Sequence, residues 1–131
     1  MIKVHHIGYL VKDISGATEQ IETLGYAAEG PVTYDWERDV DILFMEKDGY
    51  RIELVSPKSK DSVVAELIKK YRNSPYHICY ESDDMDRDIE DLCSKGFMVF
   101  EGPAPAPALD DREVVFLMGS KTGMIELVSA G

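Results

Sequence analysis

The chain repeats itself. Pro75-Tyr76-His77-Ile78-Cys79-Tyr80 has a near copy in His5-His6-Ile7-Gly8-Tyr9, which makes His6 and His77 related positions 71 residues apart. At the same offset Asp13 falls on Asp84, Ile21 on Leu92 and Leu24-Gly25 on Lys95-Gly96. Further along, Glu29-Gly30-Pro31 falls on Glu101-Gly102-Pro103 at an offset of 72, Arg38-Asp39-Val40 on Arg112-Glu113-Val114 at 74, and Ile52-Glu53-Leu54-Val55-Ser56 on Ile125-Glu126-Leu127-Val128-Ser129 at 73. Small insertions and deletions in loops account for the drift. A fixed internal period constrains the fold before any single element is read. Each half opens on a His in a short apolar run and closes on a Glu within Ile-Glu-Leu-Val-Ser, so two His and two Glu stand at matched places.

With 131 residues the chain is expected to be a single domain, residues 1–131, made of two fused modules that are each marginal alone. Module 1 covers about 1–57, a helical linker about 58–73, and module 2 about 74–131. No apolar run approaches the roughly 18 to 20 residues of a membrane span, and no basic-then-apolar leader opens the chain. A soluble, cytoplasmic protein with no membrane partner is the expectation. Cys79 and Cys93 are too few for a disulfide framework and fit reduced thiols; Cys79, two residues from His77 and on the same strand face, reads as a small buried hydrophobe. The net charge of −11 opposes phosphate backbones and argues against a nucleic-acid partner, while leaving small anions bound locally open.

Residues Ile2 to Val11 are rich in β-branched and aromatic side chains and read as a strand with His6, Gly8 and Leu10 on one face. His5 points the other way, and its counterpart Tyr76 is no ligand, so the repeat selects His6. Asp13 is placed to cap a helix with apolar positions Ile14, Ala17, Ile21 and Leu24, closed by Gly25; Asp84, Met85, Ile89, Leu92 and Gly96 spell the same element again. Short extended stretches, Tyr26 to Glu29 and Phe97 to Glu101, end at Gly-Pro turns. Val40 to Met45 and Val114 to Met118 then read as strands, followed by turns and by the strands bearing Glu53 and Glu126. Each module is thus β-α-β-β-β. Val64, Leu67, Ile68 and Tyr71 give an amphipathic linking helix over 62–71. Ala104-Pro105-Ala106-Pro107-Ala108-Leu109 holds too much proline for a central strand and predicts a loop bordering the site.

Glu53 and Glu126 lie mid-strand between aliphatics, where an unpaired buried carboxylate costs several kcal/mol or protonates. Taken singly, either Glu is better explained by an exposed sheet face or by a partner such as Arg38, Arg51 or Arg112, and a lone strand His by an ordinary hydrogen bond. Taken together, two related modules that each present an imidazole and a carboxylate inward place His6, Glu53, His77 and Glu126 around one divalent ion. Oxygen and nitrogen donors without thiolate favour Ni, Co, Mn, Fe or Mg over structural Zn.

These residues carry a resemblance. Paired β-α-β-β-β modules with His-Ile-Gly near the start, His-Ile-Cys in the second half and Ile-Glu-Leu before each module ends resemble the vicinal oxygen chelate superfamily over the whole chain. The resemblance implies an α+β fold in which the two modules form a curved, partly open mixed-sheet barrel around a central metal site. Its four ligand positions map onto His6, Glu53, His77 and Glu126, a set similar to bacterial nickel or cobalt glyoxalase I (lactoylglutathione lyase). His-His-Ile-Gly and Pro-Tyr-His-Ile-Cys-Tyr-Glu, with a helical linker before it, resemble the methylmalonyl-CoA epimerase branch more closely. Glu37 resembles the further carboxylate of that branch, with Asp35 and Asp39 as alternatives. Glu19-Gln20-Ile21 departs from the Phe-Tyr pair of many relatives. Either enzyme removes a proton beside a carbonyl or thioester through a metal-stabilised enediolate, with Glu126 as first and Glu37 as second candidate base. A small carbonyl or thioester substrate and a homodimer follow from the resemblance. The alternative is a non-catalytic small-molecule or antibiotic binder of the bleomycin-resistance type. Lys69, Lys70 and Arg72 either attract a substrate anion or simply complement the end of the linking helix; Tyr34, Trp36 and Phe44 either line an acyl pocket or pack in a core.

Overall fold

The computed structural model describes residues 2–131. The elements in chain order are β1 (Ile2–Leu10), α1 (Ile14–Thr23), β2 (Ala27–Ala28), β3 (Thr33–Asp35), β4 (Val40–Lys47), β5 (Tyr50–Pro57), α2 (Ala65–Tyr71), β6 (Ser74–Ser82), α3 (Met85–Ser94), β7 (Phe97–Ala106), a 3-10 turn (Pro107–Leu109), β8 (Arg112–Gly119) and β9 (Gly123–Ser129). The fold is α+β, with two modules of β-α-β-β-β type on mixed sheet. By compactness the chain divides into two units. The first joins the N-terminal residues as far as His6 to His77–Gly131; the second is Ile7–Tyr76, so the boundary falls inside β1.

In the second unit the strands run β2-β4-β5-β1, with β3 also on β4. The last part of β1 pairs parallel to β5, and β5 pairs antiparallel to β4. Val11, Leu43, Met45, Ile52 and Leu54 form a buried core against which Ile14, Ala17 and Ile21 of α1 pack. The first unit is built alike, in the order β6-β9-β8-β7. Val115, Leu117 and Leu127 are 0% exposed there and meet Met85, Ile89 and Leu92 of α3. Ile52 and Leu54 correspond in the repeat to Ile125 and Leu127. Because a strand alternates faces, turning these aliphatics toward the helix turns the Glu between each pair to the opposite face.

Local signals act as the sequence predicts. Asp13 accepts from the backbone N–H of Ser15 and Gly16, and Asp84 from that of Arg87. Gly25 and Gly96 follow the two helices at φ +101° and +102°, a region glycine enters without strain.

Two expectations are corrected. The linking helix begins at Ala65, not 62, because Ser62 turns the chain instead: its hydroxyl donates to the Arg38 carbonyl and accepts from the Val64 N–H. Residues 104–106, read as loop, belong to β7, which among the described residues pairs only with β8, leaving an edge where proline is tolerated. β7 reaches that far with register shifts on either side of Glu101. The related segment of module 1 is broken into β2 and β3, both on β4.

Candidate active site

Three buried polar side chains meet inside the first unit. Oε1 of Glu126 lies 3.2 Å from Nε2 of His6 and 2.9 Å from Nε2 of His77, and the two Nε2 atoms are 3.4 Å apart. All three residues are 4% exposed or less. Strand register places them. Cys79 of β6 faces Glu126 of β9 across a parallel ladder, and His77 lies two residues before Cys79, hence on the same face.

The second unit repeats this relation. Gly8 of β1 faces Glu53 of β5, and His6 lies two residues before Gly8. Ligand-type atoms of His6, Glu53, His77 and Glu126 lie within 4.8 Å of one another, and all four residues are buried. The aromatic twins Phe44 and Phe116 are the antiparallel partners of Glu53 and Glu126. Phe116 stands edge-on to the His77 ring, centroids 5.3 Å apart.

This donor set suits a cation. Glu126 Oε1 and the Nε2 atoms of His6 and His77 converge on one buried space, each an atom of a type that ligates metal ions. Ligands at right angles around an ion with bonds of about 2.1 Å stand about 3.0 Å apart, close to the separations seen. Two carboxylates and two imidazoles without a thiolate are a donor set that a divalent ion takes. Burial, the largest influence on Glu126, raises its pKa; the contacts with His6 and His77 outweigh it and hold the carboxyl below the usual carboxylate range.

Glu37 is not part of this cluster. It is exposed, in the turn between β3 and β4. Of its neighbours, Asp35 is buried and engaged by the Arg38 guanidinium at 2.7 Å, and Asp39 accepts from the hydroxyls of Tyr34 and Ser59. Trp36 and Tyr34 are largely exposed beside Glu37, whereas Phe44 is half-buried.

His5 is a residue that sequence reasoning set aside. It is half-buried, and its Nδ1 lies 2.8 Å from Nδ1 of His6. Cys79 joins these two in a second group of ligand-type atoms within 4.8 Å. The His5-His6 doublet was the available signal, hidden because His5 has no ligand-type twin in the repeat.

Fold and site together define a class. The family model for the glyoxalase/bleomycin resistance protein/dioxygenase superfamily matches residues 5–116, and the chain belongs to that superfamily. Within it the chain is similar to methylmalonyl-CoA epimerases, and it carries a buried cluster of two His and two Glu. It is 27% identical over 132 residues to the mitochondrial methylmalonyl-CoA epimerase of Bos taurus, covering 98% of this chain and 74% of the relative. It is 25% identical over 116 residues to the ethylmalonyl-CoA/methylmalonyl-CoA epimerase of Cereibacter sphaeroides, covering 88% and 87%. A Streptomyces coelicolor methylmalonyl-CoA epimerase variant in complex with 2-nitronate-propionyl-CoA shares the fold, with a TM-score of 0.83, 22% identity, and coverage of 98% and 94%. No helix among the described residues is long and apolar enough to cross a membrane.

Proposed function

We propose that this protein epimerises a 2-substituted malonyl-CoA thioester by moving the proton at C2, using one divalent ion held by His6, Glu53, His77 and Glu126. The observation that carries the reading is the convergence of four buried ligand-type atoms within 4.8 Å in a chain similar to two acyl-CoA epimerases. When bound, such an ion supplies Lewis-acid polarisation of a carbonyl oxygen, which acidifies the adjacent C–H. Imidazole and carboxylate donors favour Ni, Co, Mn, Fe or Mg over structural Zn.

The chain's own residues handle the proton. Glu126 is the first base: a carboxylate needs no prior deprotonation near neutral pH, and burial removes the competing water. Inverting a carbon also requires a proton donor on the other face. Glu37 is assigned that role because Asp35 and Asp39 are committed to Arg38, Tyr34 and Ser59, while Glu37 is exposed on the same turn. Phe116 and Phe44, opposite the two Glu residues, keep the cluster dry. We extend the reading to a single-domain cytoplasmic homodimer, which light scattering and cell fractionation check.

The test couples metal analysis of the purified protein to proton–deuterium exchange on methylmalonyl-CoA in D2O. Stoichiometric divalent metal with deuterium entering C2 supports the reading. Metal-loaded protein that exchanges nothing at C2 ends it, and isomerisation of the methylglyoxal–glutathione adduct instead moves it to a glyoxalase.

A further inference from the structure

We propose that a second, cationic pocket in the Ile7–Tyr76 unit binds a phosphate-bearing ligand. The pocket has a volume of about 630 Å³, and Lys12, Lys60, Lys69 and Arg72 line it together with Ser59 and Asn73. No carboxylate lines it among the described residues. The chain carries 25 acidic and 14 basic residues, so four cations in a lining that holds no carboxylate depart from its general composition. Like charges gathered around a concave surface create a local positive potential that favours anions. Helix-end complementarity accounts for Lys69 at the end of α2, where it also pairs with Glu66 at 3.3 Å. It does not account for Lys12, which follows β1, or Lys60, which follows β5. Asn73 ties these elements together: its Oδ1 accepts the Lys12 backbone N–H at 2.8 Å.

Backbone strain at the pocket is a separate observation. Arg72 closes α2 at φ +60° and ψ −152°, a region that glycine alone enters freely. A position that glycine would occupy without strain instead holds a guanidinium, the side chain best matched to phosphate oxygens.

The shared ligand chemistry is phosphate, and two sources supply it. One is the nucleotide end of a CoA thioester, which rests on the epimerase reading. Lys12 lies six residues after His6 in the sequence, a stretch that spans at most about 20 Å. The dozen or so bonds of a pantetheine arm span about 14 Å, which leaves the remainder to the reach of the lysine and arginine side chains. The other is a free nucleotide or pyrophosphate held independently of catalysis.

The experiment measures binding of pyrophosphate, ADP and CoA to the intact protein by calorimetry, beside KM and kcat for methylmalonyl-CoA. The wild type, the triple variant Lys60→Gln/Lys69→Gln/Arg72→Gln and Arg72→Gly are compared. The triple variant is expected to bind every phosphate probe at least about tenfold more weakly. Arg72→Gly relieves the strained backbone, so its melting temperature should rise by about 3 °C or more while phosphate binding weakens. If KM for the thioester rises with the pyrophosphate Kd at unchanged kcat, the occupant is the substrate's nucleotide end. If only pyrophosphate and ADP binding suffer, it is a free phosphate ligand. A protein that turns over no CoA thioester yet loses pyrophosphate binding in the variants overturns the epimerase reading and keeps the pocket. Equal phosphate affinity in wild type and triple variant overturns the pocket, whatever the turnover.

Discussion

At the scale of single residues, the site is decided by which atom of each side chain faces the cluster. Nε2 of His6 is turned toward Glu126, so in a neutral ring that offers its lone pair there the proton sits on Nδ1 and is donated to His5 Nδ1, 2.8 Å away. In that arrangement His5 orients the His6 ring. His5→Leu keeps bulk but removes the acceptor, and is expected to weaken metal affinity by about 10- to 100-fold, with His5→Asn recovering most of the loss. Nitrogen-15 NMR of His6 in metal-free protein reads the tautomer directly, and an unchanged tautomer in His5→Leu would refute this positioning role. Glu37 sets a second residue-scale test. Glu37→Gln preserves size and hydrogen bonding, so epimerisation should fall by roughly 10²-fold while bound metal stays constant. Full turnover would remove Glu37 from the reaction; loss of metal would show it serves the cluster instead.

At the scale of elements, the repeat made the ligand-bearing strands legible because it compares the chain with itself. Ile-Glu-Leu at the same place in both halves announces a strand whose aliphatics meet a helix and whose Glu turns away, and β5 and β9 show that arrangement. What stayed hidden are pairings that depend on tertiary partners. The Ala104–Ala106 stretch joins β7 because β8 lies alongside to pair with it, and nothing in a proline-rich run announces that neighbour. His5 was missed for the same reason: its importance comes from the ring beside it. One cross-strand contact carries a pH prediction. Arg112 donates to Glu81 at 2.7 Å, linking β8 to β6, and this bond, ahead of any other influence, lowers the Glu81 pKa below its ordinary value of 4.5. A depressed carboxyl pKa contributes stability that is present above the unfolded value and lost as pH falls through the folded one. Urea denaturation should therefore find Glu81→Gln less stable than wild type by about 1 kcal/mol at pH 7, converging with it as pH drops below 4.5. A gap independent of pH would mean that charge is not what Arg112 contributes.

At the scale of the whole molecule, the proposed metal site couples folding to metal binding, because its four side chains come from β1, β5, β6 and β9. Ligands that far apart in sequence, from His6 to Glu126, are not assembled in the unfolded chain. An ion bound only by the native state then stabilises the fold by mass action, about 2.7 kcal/mol at a free concentration 100 times Kd. For a chain of this length that corresponds to a melting-temperature rise of roughly 10 °C. EDTA treatment should therefore lower the melting temperature of wild-type protein by about that amount, and re-adding the metal should restore it. His77→Ala should melt near the EDTA-treated wild type and respond to neither chelator nor metal. The Ile78 and Cys79 backbone still pairs with β9 in that variant, so it remains folded and the comparison stays interpretable. A wild type indifferent to chelator, or a His77→Ala protein that still gains stability from metal, would show that the four side chains do not hold an ion as a set.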